Sequence, residues 1–242
     1  MLDIDGTLCE IVERPDDAMV PRSARWVLQR LAGRRDSDVH IAFVTGRSVA
    51  DAQRMLGIAG APIYGNHGME YLSAAGNIRV PVVSETGPAE MRAAARDLAD
   101  VVAAFPGTSL EDKYLSLSLH FRGMNMEQLP YLNARVAEIA RQRSLKLSPG
   151  KGVINVLPSL SANKGDAVLE IVSDAAGGVA GASILFAGDD VTDEDGFRAL
   201  QEVPGAITVC VGDAAEYSLA EFSLDGPDQV HELLDLLAVS RL

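Results

Sequence analysis

Three short apolar runs constrain this chain most, because two of them stop abruptly at residues suited to chemistry. Val39, Ile41, Ala42, Phe43 and Val44 lead into Thr45-Gly46-Arg47, and SILFAG ends at Asp189-Asp190. A third run, AITVCV, closes at Gly212. Runs this apolar do not suit a sheet with one wet face, and they read as strands buried on both faces. Helical patterns lie between them. PRSARWVLQRLA carries Pro21 in a first-turn position and places Ala24, Val27, Leu28 and Leu31 on one side. Ser48 is placed to cap the next helix, with Asp51 as its capping-box partner. Strand and helix alternating in this way predict an α/β fold built on a doubly wound parallel sheet.

The periodicity changes after about residue 70. EYLSAAGNIRVPVV reads as a hairpin turning near Ala75-Gly76-Asn77. Pro88 to Phe105 and Glu127 to Arg143 have helical patterns, and LKLSPGKGVINVLP forms a hairpin around Gly150-Lys151-Gly152. KYLSLSLHFR alternates strictly, with Tyr114, Ser116, Ser118 and His120 opposite Leu115, Leu117, Leu119 and Phe121, as in a half-buried antiparallel strand. Residues 82–158 therefore predict an inserted α+β unit of order αββαββ, within a core made of 1–81 and 159–242. After the insertion, Asn163-Lys164-Gly165 opens a helix through Ile171. Helical pattern is also expected over 213–220 and over the closing segment with Val230, Leu233, Leu234 and Leu237.

Charge narrows the function classes. With 34 acidic against 21 basic residues the formal net charge is -13, which argues against nucleic-acid and anionic-membrane surfaces. Cys9 and Cys210 form no C-x-x-C pair, so zinc and redox chemistry find no support, and a reducing cytoplasmic home is expected. No apolar run reaches the roughly 18 residues of a membrane span. Only Met1 and Leu2 precede Asp3, a short lead for a central strand, so a few apolar residues upstream of Met1 are expected. Oligomeric state is left open, a monomer being one option.

The opening MLDIDGTL holds Asp3 and Asp5 at i and i+2, a spacing that turns two carboxylates to one side of a strand. Asp189, Asp190, Asp193, Glu194 and Asp195 follow another strand end. Ligands gather where the strands of an open α/β sheet stop. Carboxylates gathered there repel one another unless a cation lies between them, and all-oxygen ligation suits Mg2+. Lys164 adds positive charge, while Thr45 and the backbone at Gly46 can donate to phosphoryl oxygens. This set suggests phosphoryl transfer through an aspartyl nucleophile. No G-x-x-x-x-G-K-[ST] run is present, so use of ATP or GTP finds no support.

With D-x-D-G-T-L, F-V-T-G-R and G-D-D-V-T-D-E-D-G-F in place, the chain resembles the haloacid dehalogenase-like phosphatases, and more closely the trehalose-6-phosphate phosphatases. The resemblance implies a Rossmann-like core with a cap, Asp3 as nucleophile, Asp5 as general acid/base, and Thr45 and Lys164 as catalytic partners. It implies Mg2+ held by Asp3, Asp5 and Asp189, with Asp190 and Asp193 beside it. The segment E-D-K-Y-L-S-L-S-L-H-F-R matches a family cap pattern and makes Glu111, Lys113, His120 and Arg122 candidate sugar contacts. His67 in G-N-H-G-M-E, Lys151 in the cap hairpin, and Gly46 with Arg47 join the candidate substrate-binding set. That hairpin departs from the pattern. Asn155 stands where the family has Glu, and Leu157 where it has Arg or Lys. The expected substrate is trehalose 6-phosphate, with another disaccharide, pseudo-sugar or sugar phosphate as the alternative. A phosphomutase and a non-catalytic sugar-phosphate-binding regulator are the readings from other classes.

Overall fold

A computed structural model describes residues 1–33, 39–80, 87–159, 161–176, 183–213 and 217–239. In chain order the first elements are α1 (Arg22–Ala32), β1 (Phe43–Val44), α2 (Val49–Leu56), β2 (Ile63–Gly65), β3 (Glu70–Leu72) and β4 (Ile78–Arg79). There follow α3 (Gly87–Ala104), β5 (Ser109–Asp112), β6 (Leu117–His120), α4 (Leu129–Gln142), β7 (Leu145–Gly150) and β8 (Val153–Pro158). The last are α5 (Lys164–Ala176), β9 (Ile184–Gly188), α6 (Glu194–Leu200), β10 (Ala206–Val211), β11 (Phe222–Leu224) and α7 (Pro227–Val239). Met1–Val80 with Ala162–Leu242 form one compact unit, and Pro81–Ser161 form a second.

In the first unit, β1 and β2 are parallel, and β3 and β4 extend them as antiparallel strands. β9, β10 and β11 form a parallel set. The opening residues join the two sets. Leu2 bridges in parallel to Phe43 on one side and to Ala187 on the other, so the chain's first residues occupy the centre of the sheet. The N–H groups of Leu2 and Asp3 donate to Ala42 and Ala187 respectively, both at 3.0 Å.

Alternation along the strands explains why both faces are covered. Phe43, Ala187, Val209 and Val211 pack with α1, α2 and α7 through residues such as Leu28, Leu56 and Leu234. Val44, Phe186 and Cys210 point the other way, into a cluster with Ala167 and Val168 of α5 and Phe197 and Leu200 of α6. Side chains two apart share a face, so an all-apolar strand serves two cores at once. Of the helix expected over 213–220, part lies outside the described residues, and Ser218, Leu219 and Ala220 are not helical. No helix among the described residues is long and apolar enough to cross a membrane.

The second unit has the order αββαββ, with sheet order β5-β6-β8-β7 and every pair antiparallel. Leu117, Leu119, Ile154 and Val156 pack against Met91, Ala94 and Leu98 of α3 and Leu132, Val136 and Ile139 of α4. The opposite face carries a polar row across three strand pairs, with Glu111 beside Ser118, Ser118 beside Asn155, and Asn155 beside Ser148. One expectation fails locally. The strand read from Lys113 begins only at Leu117, because residues 113–116 turn, with Tyr114 at φ 69° and its N–H donating to Asp112 Oδ1 at 2.8 Å. Alternation in sequence does not mark where the chain reverses, and here the reversal pairs Glu111 with Ser118.

Candidate active site

Asp3 ends the central segment of the sheet, and the chain then folds sharply onto itself. The N–H groups of Leu8 and Cys9 donate to Ile4 O at 2.8 and 3.2 Å, and Gly6 N–H donates to Cys9 O at 2.8 Å. Gly6 adopts φ 74°, and a Cβ there would lie 2.1 Å from Asp189 Oδ2, so the loop closes directly against the second acidic motif. Only glycine takes that backbone at low cost while leaving room for the carboxylate.

Lys164 opens α5 with its side chain buried, 1 % exposed as a residue. Its Nζ lies 3.0 Å from Asp3 Oδ2 and 2.8 Å from Asp193 Oδ1. The other Asp193 oxygen accepts the N–H groups of Asp189 and Asp190 at 3.2 and 3.1 Å, which fixes the turn after β9. Asp3 Oδ1 is buried with no hydrogen-bond partner among the described residues. Burial pushes the Asp3 carboxyl above the usual carboxylate range, Lys164 opposes that, and Asp5 adds to it. Asp193 is raised well above that range, again chiefly by burial. Burial acts to lower the Lys164 ammonium, but Asp193 and Asp3 outweigh it and hold the charge.

Asp3, Asp189 and Asp193 each place an oxygen within 4.8 Å of the others, all buried. Two of these carboxylates share the Lys164 ammonium, and Asp189 lies buried beside them. This gathering of carboxylates, and the Asp3 oxygen left without a partner among the described residues, fit a divalent cation. Asp193 is occupied by Lys164 and two backbone donors, so Asp3 and Asp189 are the side chains suited to hold the ion. Asp190 is half-buried and accepts its neighbour Val191 N–H at 2.8 Å.

Asp5 was expected among the metal-binding acids, and the structure places its carboxylate elsewhere. Oδ2 is 2.7 Å from Arg47 Nε and Oδ1 is 2.7 Å from Arg47 Nη2, a two-pronged ion pair. The i, i+2 rule holds only while the chain stays extended, and here the chain bends at Ile4. Arg47, expected to meet substrate, is buried against this carboxylate, the Pro15 carbonyl and Asp51.

Thr45 is buried at the end of the β1 run, its Oγ1 accepting Arg47 N–H at 3.3 Å. The helix cap belongs to Ser48, which accepts Asp51 N–H at 3.2 Å. The Asp51 carboxylate does not complete a capping box but pairs with Arg47 and Arg54. The GNHGME segment braces this motif. Asn66 N–H donates to Arg47 O at 2.7 Å and His67 N–H to Thr45 O at 2.9 Å, with both residues in the left-handed region at φ 48° and 59°. The His67 ring lies so close that a Cβ on Gly46 would come within 2.7 Å of it. Glu70 accepts Val49 N–H at 2.7 Å, at the start of α2.

In the second unit the polar row is one connected network. Lys113 Nζ donates to Ser118 Oγ at 2.9 Å, and Ser118 donates to Asn155 Oδ1 at 2.7 Å. Glu111 Oε2 lies 3.0 Å from His120 Nε2 and 3.7 Å from Lys113 Nζ. Arg122 reaches the Lys151 carbonyl through Nε and Nη2, at an exposed hairpin tip. Ser118 is the member that sequence reasoning did not single out, although its parity with His120 carried the signal.

A sequence model of the family described as trehalose-phosphatase matches residues 1–228. The trehalose-phosphate phosphatase of Mycobacterium tuberculosis is 31% identical over 242 residues, covering 98% of this chain and 60% of that protein. The chain thus spans about 60% of the length of such curated relatives. The C-terminal domain of Candida albicans trehalose-6-phosphate phosphatase superposes with a TM-score of 0.86 at 24% identity, covering 98% of this chain and 90% of that one. A haloalkanoate-superfamily phosphatase from Bacteroides thetaiotaomicron, BT1666, shares the fold at a TM-score of 0.61 and 18% identity, covering 99% and 94%.

Proposed function

Since this chain belongs to the trehalose-phosphatase family, we propose that it is an Mg2+-dependent phosphatase that hydrolyses trehalose 6-phosphate or a closely related sugar phosphate. The observation that carries this reading is the buried, unpartnered Asp3 Oδ1 beside an ammonium that occupies the other oxygen. An oxygen of the Asp3 carboxylate attacks phosphorus, the bond from phosphorus to the sugar oxygen breaks, and Asp5 gives its proton to the departing alkoxide. Water then attacks the aspartyl phosphate, Asp5 takes a proton from it, and the phosphorus–Asp3 bond cleaves to release phosphate. Lys164 donates to the transferring oxygens, and the Thr45 hydroxyl, already accepting from Arg47, has its hydrogen to offer them. Mg2+, which Asp3 and Asp189 would hold, would add positive charge to that of Lys164 against a chain net charge of -13.

The polar face of the second unit is the proposed sugar-recognition surface, with Glu111, Lys113, Ser118, His120 and Asn155 meeting hydroxyls and Arg122 and Lys151 at its margin. Asn155 favours a substrate range beyond trehalose 6-phosphate. Its carbonyl accepts from Ser118, so it offers an N–H donor where a glutamate offers an acceptor. A mismatch of that kind shifts specificity by orders of magnitude. Cys9 and Cys210, buried and not joined in a disulfide, suit a reducing cytoplasm.

The test is phosphate release from a panel of sugar phosphates, with Mg2+ and with EDTA. Asp3→Asn should abolish turnover and the acid-trapped phosphoenzyme together. A phosphoenzyme surviving in Asp3→Asn, or no metal-dependent turnover on any sugar phosphate, overturns the reading. Release of phosphate carrying oxygen from labelled water separates hydrolysis from a mutase.

A further inference from the structure

We infer that Arg47 is a positioning residue for the Asp5 carboxylate and not a ligand of the substrate's phosphoryl group; the inference rests on the phosphatase reading, in which Asp5 is the acid/base. Arg47 follows the strand-end Thr45-Gly46, so both its sequence position and its charge point to phosphate binding. Its geometry points elsewhere.

The side chain is 7% exposed, and its donors are already directed at protein acceptors. Nε and Nη2 each meet one oxygen of Asp5 at 2.7 Å. Nη2 also donates to the Pro15 carbonyl at 3.0 Å, and Nη1 faces Asp51 Oδ2 at 3.5 Å. Turning this guanidinium toward a phosphate would strip Asp5 of its counter-charge and leave the largely buried Asp51 to Arg54 alone. The main chain offers no slack either. Arg47 N–H is bonded to Thr45 Oγ1 and its carbonyl receives Asn66 N–H, while a Cβ on Gly65 would come within 2.9 Å of that carbonyl.

Asp5 is the complement. Its side chain is 37% exposed, so it sits at the rim of the site, on a tight loop whose backbone bonds do not constrain the carboxylate. A forked pair with both oxygens sets the plane and the reach of that carboxylate, which a single hydrogen bond or a lysine does not do. Asp51, anchored on α2 and tied to Arg54, holds the far end of the fork. Arg47 thereby ties Asp5 to the Pro15 carbonyl and to Asp51, one turn along the following helix. Lys164 and Thr45 remain as the donors for the phosphoryl oxygens.

The experiment compares two substrates in Mg2+ buffer, trehalose 6-phosphate, whose leaving alkoxide needs a proton, and p-nitrophenyl phosphate, whose leaving group does not. Arg47→Lys should lower the first-turnover rate on the sugar phosphate by about 10²-fold, the cost of a misplaced group. The nitrophenolate burst should stay within about threefold of wild type, since an acidic leaving group draws little on a general acid. In an Asp5→Asn background the same change should alter turnover by less than about twofold, because both act through one group. An equal loss on both substrates overturns the inference in favour of a general structural role. A raised KM for both, with weakened inhibition by inorganic phosphate, overturns it in favour of phosphate binding. Should Arg47→Lys lose its near-ultraviolet circular dichroism, Asp51→Asn serves instead, with the same substrate bias expected at smaller size and its absence counting against the inference. Wild-type protein inert toward p-nitrophenyl phosphate and toward every sugar phosphate of the panel refutes the phosphatase reading and takes this inference with it, an outcome recognised before any variant is made; if another sugar phosphate of the panel is the one turned over, it takes the place of trehalose 6-phosphate.

Discussion

Replacing Lys164 with Met should destabilise the protein strongly in EDTA and much less in Mg2+. Met keeps most of the volume of the lysine stem, so packing loss stays below about 1.5 kcal/mol. What disappears is the ammonium that lies, among the described residues, 3.0 and 2.8 Å from Asp3 and Asp193, two carboxylates nearly inaccessible to water. Removing one partner of a buried ion pair costs about 3–5 kcal/mol, because the charge left behind can neither be solvated nor paired. For a chain of this size that corresponds to a fall in Tm of about 6–20 °C. A divalent cation supplies the missing charge and, present at about a hundred times its Kd, returns about 2.7 kcal/mol. The assay is thermal or urea unfolding of both proteins in EDTA and across a Mg2+ titration, and the gap between them should narrow as the ion is added. Burial holds the folded-state Asp3 and Asp193 carboxyls above their unfolded value near about 3.9, so the stability they contribute is present in acid and lost as pH rises through the folded value. Without Lys164 to oppose that shift, the deficit should grow from acid toward neutral pH. Equal stability of the two proteins in EDTA at neutral pH would refute the argument that Lys164 offsets these buried charges.

Three further outcomes follow from other parts of the structure. Gly6→Ala places a Cβ on Asp189 and an L-residue at φ 74°, so it should lose about 1–2 kcal/mol of stability and about 10²-fold in turnover; unchanged turnover in a folded variant contradicts that close approach. Leu119→Ala empties a fully buried position in the second unit's own core and should cost about 2–5 kcal/mol. Calorimetry should show the loss as an earlier separate transition, and an unaltered profile argues against an independent core there. Burial, with Asp5 adding to it, pushes the Cys9 thiol up to about 12, and Cys210 is buried as well. An aromatic disulfide reagent at about pH 8 should therefore label neither thiol until denaturant is added, and rapid labelling of the native protein would show that these positions open.

Most of the fold was legible because it depends on local patterns. Uniformly apolar runs announced strands covered on both faces, and the switch to strict alternation near Leu115–Phe121 announced a sheet covered on one. Both follow from side chains two apart sharing a face, a rule that needs no partner to be known. The placing of acids, a lysine and a threonine at strand ends and helix starts was legible for the same reason. Where that reasoning slipped, chain direction was the cause. The turn through residues 113–116 reverses the chain and sets Glu111 and Lys113 on the face of Ser118 and His120, and the bend at Ile4 sends the Asp5 carboxylate to Arg47.

The sequence by itself determined most of the elements and the inventory of reactive groups. Tertiary structure decided the pairings, which arise between residues far apart in the chain and have no local signal. Leu2 lies between Phe43 and Ala187, Lys164 is held by Asp3 and Asp193, and Asp5 is braced by Arg47. A buried charge takes the nearest compensating partner in space, and only the folded chain settles which one that is.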